Sequence, residues 1–462
     1  MVLRKLIWLL SILVISAAVL IAVCLDRAFH VITGVVAHDI CSKTFISGFD
    51  PQVVFAETVT REGVRRFSSV LKYDMDRSSK VVRASLAGWA GSRAAFHDGL
   101  GCIILHGSAE PYLPKTDVAE LKATRTTPLL AEIGGPTAVE PSNVKLRAAL
   151  DDAFEEPPAP PYRRTKAVVV VLDGTIVAER YAPGVGVDTS LLGFSMTKSV
   201  VSAMIGILVQ QGRLSTSQPA PIAEWREETN PRHAITIEHL MRMTSGLALD
   251  EARLGFDTSS QMVYLHNDMA GFAANAVVVA APGTRWAYSS PSTQLLARVI
   301  RNTVGGPEQA LEFAWHELFN PLGMRNVTLE FDATGTLQGS SYMFASARDW
   351  ARFGLLYLYD GMVGGRRILP EGWVEFSAKR TLATDYGAGF WTNRIDHEQT
   401  QNLVGLGMPR DAFFALGNLG QIIAILPSQR LVIVRLGDAV DPIGEMRGLA
   451  RLVSEVVSAT QR

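Results

Sequence analysis

The chain has 462 residues, 48% of them hydrophobic and 19% charged. Its 44 Lys and Arg nearly cancel its 45 Asp and Glu, so no basic excess points to nucleic acid and no acidic run points to a solvating tail. The length allows two or three domains, or one large domain with an extension.

The first element is "LIWLLSILVISAAVLIAVCL", Leu6 to Leu25, an uncharged apolar run long enough to cross a bilayer as a helix. Arg4 and Lys5 precede it, and positive charge stays cytoplasmic, which places the remainder on the far side. A cleaved signal peptide is the alternative, although the run is long for one and lacks a clear small-x-small cleavage site. The bulky Val23 before Cys24 argues against a lipoprotein site. Either reading exports residues 26–462. Cys41 and Cys102 then form a candidate disulfide. His38 and His106 lie at spacings that also suit zinc, and two free thiols are the plain alternative. The oxidising compartment favours the disulfide.

Residues 30–110 combine a helical stretch, "VITGVVAHDICSKTF", with alternating strand-like runs. From Pro111 to Tyr162 the chain is rich in Pro, Ala, Thr and acidic residues and closes on "FEEPPAPPYRRT". This reads either as a linker without regular structure or as an ordered strap on the main domain. The organisation expected is an anchor at 1–25, an exported N-terminal region with a linker or strap at 26–160, and a main domain at 161–462.

"KAVVVVLDGTIVAERYA" has two β-rich runs around Asp173-Gly174, the composition of a tight hairpin. An apolar helix follows in "GFSMTKSVVSAMIGILVQQG", then further helical segments. "GQIIAILPSQRLVIVRLG" reads as two strands and "GEMRGLARLVSEVVSAT" as a last helix. Strands at both ends with helices between predict an α+β fold, one sheet built from both termini beside a helical region.

Ser195 and Lys198 stand three apart on that apolar helix and so face one side. A serine hydroxyl is a weak nucleophile until a base takes its proton. A lysine serves as that base when burial lowers its pKa, and the helix N-terminus favours an oxyanion. By itself the spacing is common, and a lysine snorkelling off a surface helix explains it equally. Two further segments add to it. "APGTRWAYSSPSTQLLARVI" sets Tyr288 at a loop-helix junction with Ser290 two residues on, where a phenol can relay protons. "FFALGNLGQIIAIL" runs three glycines into a strand, which lets backbone N–H groups approach a ligand.

In this order the three motifs resemble the β-lactamase-related serine hydrolases of the penicillin-recognising superfamily. "ITIEHLMRMTSGL", "LFNPLGM", "SARDWARFGLL" and "YGAGFW" extend the resemblance from about Lys166 to the C-terminus. It is strongest to the 6-aminohexanoate-dimer hydrolase-like branch, whose second motif is Tyr-x-Ser, as in Tyr288-x-Ser290. The resemblance implies a β-lactamase/transpeptidase-like fold and an acyl-enzyme formed at Ser195. It implies that Lys198 and Tyr288 share acid and base work, with Ser290 supporting the lysine or the leaving group. The oxyanion is expected between the backbone N–H groups of Ser195 and Gln421, with Asn418 and Gly420 beside the substrate. No metal or organic cofactor is implied. One departure stands out: where relatives carry a basic side chain in the third motif, this chain has Asn418 in Gly417-Asn418-Leu419-Gly420-Gln421. Three readings follow: a hydrolase of a small amide or ester, a β-lactamase or D-Ala-D-Ala carboxypeptidase, or an inactive anchored binding protein. The intact Ser195, Lys198 and Tyr288 argue against the last. The partners expected are a small-molecule substrate and the membrane, and no nucleic acid.

Overall fold

In the computed structural model of the chain, Val2–Phe45 forms one continuous helix, α1. The structure describes every residue except 1, 62, 108–109, 124–127, 250, 252–256, 395–402, 441 and 461–462. The two halves of α1 differ. The apolar half stands free of the protein, with Trp8 71% and Leu13 69% exposed, and is long and apolar enough to cross a membrane. From Ala28 onward α1 is buried or half-buried. The helix foreseen at 31–45 is therefore the lower end of a much longer one.

After α2 (Pro51–Thr58) comes an antiparallel sheet of four strands, β1 (Leu71–Asp76), β2 (Val81–Leu86), β3 (Ala90–His97) and β4 (Gly101–Leu105), in sequential order. One face of this meander packs on the lower half of α1 through Val36, Ile40, Val82, Ala84 and Ala94. Cys41 on α1 and Cys102 on β4 are joined by a disulfide, with Cα atoms 6.2 Å apart. His38 lies one helical turn away and points its Nε2 to Glu330, at 2.8 Å, and to the Cys102 carbonyl.

Outside 124–127, the segment after Pro111 is an ordered strap. The backbone N–H groups of Leu129 and Leu130 both donate to the Pro321 carbonyl, and that of Val139 donates to the buried Glu179 carboxylate. Val144–Phe154 then forms α3, capped by Asn143, whose side chain accepts from the Lys145 N–H. Its Leu146, Ala149 and Leu150 pack beneath the main sheet, so the catalytic unit reaches back to about residue 144. The Pro-rich 155–164 has no regular structure, as the absence of proline N–H groups dictates.

The main sheet has six strands. β5 (Thr165–Leu172) and β6 (Thr175–Tyr181) lie at one edge; β7 (Trp391–Thr392), β8 (Phe413–Gly417), β9 (Gln421–Leu426) and β10 (Leu431–Gly437) complete it. The spatial order is β7-β8-β9-β10-β5-β6, antiparallel throughout. Both ends of the domain thus build one sheet. Asp173 and Gly174 turn the β5–β6 hairpin with φ of 51° and 83°, the conformation a two-residue primed turn requires. Burying both faces explains the near-continuous Val and Ile of β5, β9 and β10. One face is covered by α3 and the C-terminal helix, the other by the helical region. The latter contains α4 (Thr197–Gln210), α5 (Ser290–Val304) and α6 (Ala347–Leu358).

Candidate active site

Ser195 is not on α4 itself. It occupies a single 3-10 turn, Phe194–Met196, that leads into the helix. Residues three apart eclipse one another in 3-10 geometry, which keeps Ser195 above Lys198. Phe194 holds φ at 47°, a left-handed conformation uncommon for a bulky residue, so the backbone is strained one residue before the serine. Two close approaches hold it there. A Cβ on Gly193 would meet Trp350 at 2.3 Å, and one on Gly417 would meet the Gly193 carbonyl at 2.2 Å. These two glycines let β8 lie directly against the serine turn.

Lys198 is 2% exposed and makes three hydrogen bonds. Its Nζ donates to Ser195 Oγ at 2.8 Å, to Ser290 Oγ at 2.9 Å and to the Ser340 carbonyl at 2.9 Å. Burial lowers its pKa to about 8, and the Glu251 carboxylate partly opposes that shift. Glu251 was not foreseen. It accepts from the Ser290 hydroxyl at 2.7 Å and from the Ser290 N–H at 2.9 Å. Ser290 therefore relays between lysine and carboxylate. Ser289 caps α5, accepting from the Ser292 N–H, and this cap sets the two residues on either side of it, Tyr288 and Ser290, at the helix entrance.

The Tyr288 ring lies 5.0 Å from Lys198 Nζ. Burial, reinforced by Glu251, pushes its phenol well above the ordinary value, and the neighbouring Ser195 hydroxyl opposes this. The phenol is accordingly neutral wherever Lys198 titrates. Around it stand Trp391 at 5.5 Å, Tyr386 at 5.7 Å and Trp286 at 6.4 Å between ring centroids. The Trp286 indole N–H and the Tyr386 hydroxyl are buried with no hydrogen-bond partner among the described residues.

The third motif is the β8–β9 hairpin, whose last pair is Gly417 with Gln421. The Gln421 side chain turns inward: Nε2 donates to the Gly437 carbonyl at 2.6 Å and Oε1 accepts from the Gly437 N–H at 3.0 Å. Arg435 donates to the Gly420 carbonyl at 2.7 Å. Between them Leu419 takes φ of 60°. Asn418 is exposed at the tip. The turn is thus pinned from within, and Gly417 brings it to the serine. Ser195, Lys198, Tyr288 and Ser290 converge here; Asn418, Gly420 and Gln421 form the adjoining hairpin; Cys41 and Cys102 lie apart, on α1 and β4.

Chemically, this is a serine hydrogen-bonded to a buried, easily deprotonated amine, with a neutral phenol close by. Comparison with known proteins bears on the family and the fold. The family model described as Beta-lactamase matches residues 150–458. The chain is 26% identical over 296 residues to a 6-aminohexanoate-dimer hydrolase of Paenarthrobacter ureafaciens, covering 60% of this chain and 74% of that protein. A Bacillus anthracis structure assigned as a 6-aminohexanoate-dimer hydrolase aligns at TM-score 0.57 and 23% identity, over 71% of this chain and 88% of that one. A penicillin-binding protein homologue from Caulobacter crescentus aligns at TM-score 0.54 and 18% identity, over 71% and 100%. The match over two thirds of the chain, on the fold and motifs described, shows that the chain belongs to the Beta-lactamase family of serine hydrolases.

Proposed function

We propose that the protein hydrolyses a small linear amide or ester through an acyl-enzyme at Ser195. The observation that carries this reading is the 2.8 Å hydrogen bond from buried Lys198 to Ser195. With a pKa of about 8, on the order of a tenth of Lys198 is neutral at pH 7. The neutral amine accepts the Ser195 proton as Oγ attacks the carbonyl carbon. The negative oxygen is held by the Ser195 N–H and by a backbone N–H of the third-motif hairpin, which the family resemblance puts at Gln421. Tyr288, a neutral phenol, passes its proton to the leaving nitrogen or oxygen as the C–N or C–O bond breaks, and takes one back from the Lys198 ammonium, which returns the lysine to the neutral form. Water then attacks the ester carbonyl, the regenerated neutral Lys198 takes its proton, and that proton passes to Ser195 Oγ as the acyl C–O bond breaks, releasing the acid product and free Ser195. Ser290 and Glu251 hold the lysine during both steps.

Substrate class follows from the walls. Trp286, Tyr386 and Trp391 surround Tyr288 with aromatic rings and no charge, which suits an uncharged chain carrying an amide or ester. The exposed Asn418 supplies only a neutral amide, and a substrate carboxylate is held best by a charge-assisted hydrogen bond. Short acyl esters and linear amides are therefore expected as substrates, with penicillins and cephalosporins turned over poorly. We further place the catalytic domain outside the cytoplasm, anchored by α1, because the free apolar half of α1 is preceded by Arg4 and Lys5 and the exported side carries the Cys41–Cys102 bond. The test is kcat/KM for a short acyl ester, a linear amide and a chromogenic cephalosporin on one preparation. Preference for the ester or amide supports the proposal; preference for the cephalosporin replaces it with a lactamase.

A further inference from the structure

Trp89 is the most exposed large hydrophobic residue described, at 90%. It sits at the turn between β2 and β3, after the positive-φ residues Ala87 and Gly88. Val70, 40% exposed, lies beside it and accepts the Ala87 N–H at its carbonyl, at 3.0 Å. A single exposed hydrophobic residue is ordinary on a protein surface, so the weight falls on where this indole sits relative to α1.

β3 runs alongside α1 in the same direction. Near its start, Ser92 Oγ bonds the His30 carbonyl and Thr33 Oγ1; near its end, the Phe96 ring stacks on Phe45 at 5.3 Å. Three strand residues back from Ser92 cover about 10 Å, the rise of about six or seven helical residues. That sets Trp89 level with the final residues of the apolar run, about Val23–Leu25. On the other side, Phe67 packs edge-on against Phe29 at 5.7 Å, and Leu71 and Lys72 pair with Leu86 and Ser85 at this same end of the sheet. Arg27, Arg65, Arg66 and Lys72 are all exposed here, against Asp26, which faces His30 at 3.7 Å.

We infer that the β2–β3 tip is a second membrane contact, with Trp89 and Val70 seated in the interfacial layer of the bilayer that α1 enters, and the four basic residues facing anionic headgroups. Tryptophan favours that layer because its ring is apolar and its N–H is wet, and basic side chains are attracted to anionic lipid. One helix leaves a domain free to swing; a second contact off the helix axis fixes its orientation. Lys43, beside the serine turn, lies about 27 Å along α1 from Leu25, so this orientation holds Ser195 in water and suits a soluble substrate. The inference rests on α1 spanning a membrane.

The full chain is reconstituted in phosphatidylcholine–phosphatidylglycerol vesicles, with and without lipids brominated at the upper acyl chain. Emission of Trp89→Phe is subtracted from wild type to isolate Trp89. The proposal expects a difference spectrum shifted to shorter wavelength, quenched by the brominated lipid and shielded from aqueous acrylamide. Full acrylamide quenching with none from bromine overturns it, placing Trp89 in water. Shielding from acrylamide without bromine quenching also overturns it, pointing to a second copy of the chain. Trp8 reports separately on α1. If Trp89→Phe vesicles show no bromine quenching and the protein does not float with the lipid, the anchor reading and this inference fall together.

Discussion

Lys198 is the residue on which the proposed chemistry turns, because burial and the nearby Glu251 charge act on it in opposite senses. Burial favours the neutral amine, whereas Glu251 favours the ammonium. With the folded pKa at about 8, the active neutral form grows as pH rises through that value. Accordingly kcat/KM should climb from pH 6.5 to 9, and no second ionisation from Tyr288 should cut it off there, since that phenol is held well above 10. Glu251→Gln removes the opposing charge, so its limb should move to lower pH; a limb that stays put would separate Glu251 from the lysine. Lys198→Ala should lower acylation by about 100- to 10,000-fold, and Tyr288→Phe by less, measured with a short ester; near-normal rates in Lys198→Ala would make the lysine structural. The three motifs in order, more than either spacing alone, pointed to Ser195, Lys198, Tyr288 and Ser290 together, and the contacts of Lys198 bring the four side by side. Glu251 had no such signal. It reaches Ser290 from 39 residues away, in a stretch with no helical or strand period.

The lower half of α1 is bound into the catalytic domain by charge as well as by apolar packing. Lys43 bonds Asp438 at 2.6 Å, Arg61 bonds Asp39 at 2.6 Å, and Arg61 reaches Asp438 at 3.3 Å. Asp438 follows β10 directly, beside Gly437, which Gln421 grips. Burial by itself would raise the Asp438 carboxyl, but Lys43, Arg61 and Lys166 hold it well below the usual carboxylate range. A depressed acid contributes stability that is fully present above its unfolded value near 3.8 and is lost as pH falls below that toward the folded one. Thermal stability should therefore drop steeply below about pH 4. Asp438→Asn should cost about 3–5 kcal/mol at neutral pH, since it strands buried cations, and should flatten the acid limb; unchanged melting would show that the cluster contributes nothing. Replacing Cys41 and Cys102 by Ser should cost about 2–4 kcal/mol, read from denaturant midpoints. Local pattern disclosed the strands and the Asp173-Gly174 turn. It did not disclose that α1 continues unbroken from 2 to 45, because the periodicity changes from uniformly apolar to one-sided at Ala28. Nor did it decide between linker and strap for residues 111–162, whose described part is tied down where Leu129, Leu130 and Val139 meet Pro321 and Glu179, distant in sequence.

At the scale of the whole molecule, a free apolar helix, a small sheet wrapped on its lower half, and a Beta-lactamase-family domain form one continuous body. The six-stranded sheet built from both ends of the domain was legible because β-rich runs flank a helical middle. The placement of the four-stranded sheet was not, since it depends on the long-range pairing of α1 with β3. If α1 is an uncleaved anchor, the purified protein should retain residues 1–25 and fractionate with membranes; an N-terminus beginning after Leu25 would show cleavage instead. The central claim is that this assembly presents Ser195 as an acylated nucleophile. The most direct measurement is peptide mapping by mass spectrometry after reaction with a serine-directed phosphonate, on wild type and Ser195→Ala. The account predicts one adduct, on the peptide containing Ser195, absent from Ser195→Ala along with turnover. An adduct that persists in Ser195→Ala, or hydrolysis that survives the substitution, would contradict it.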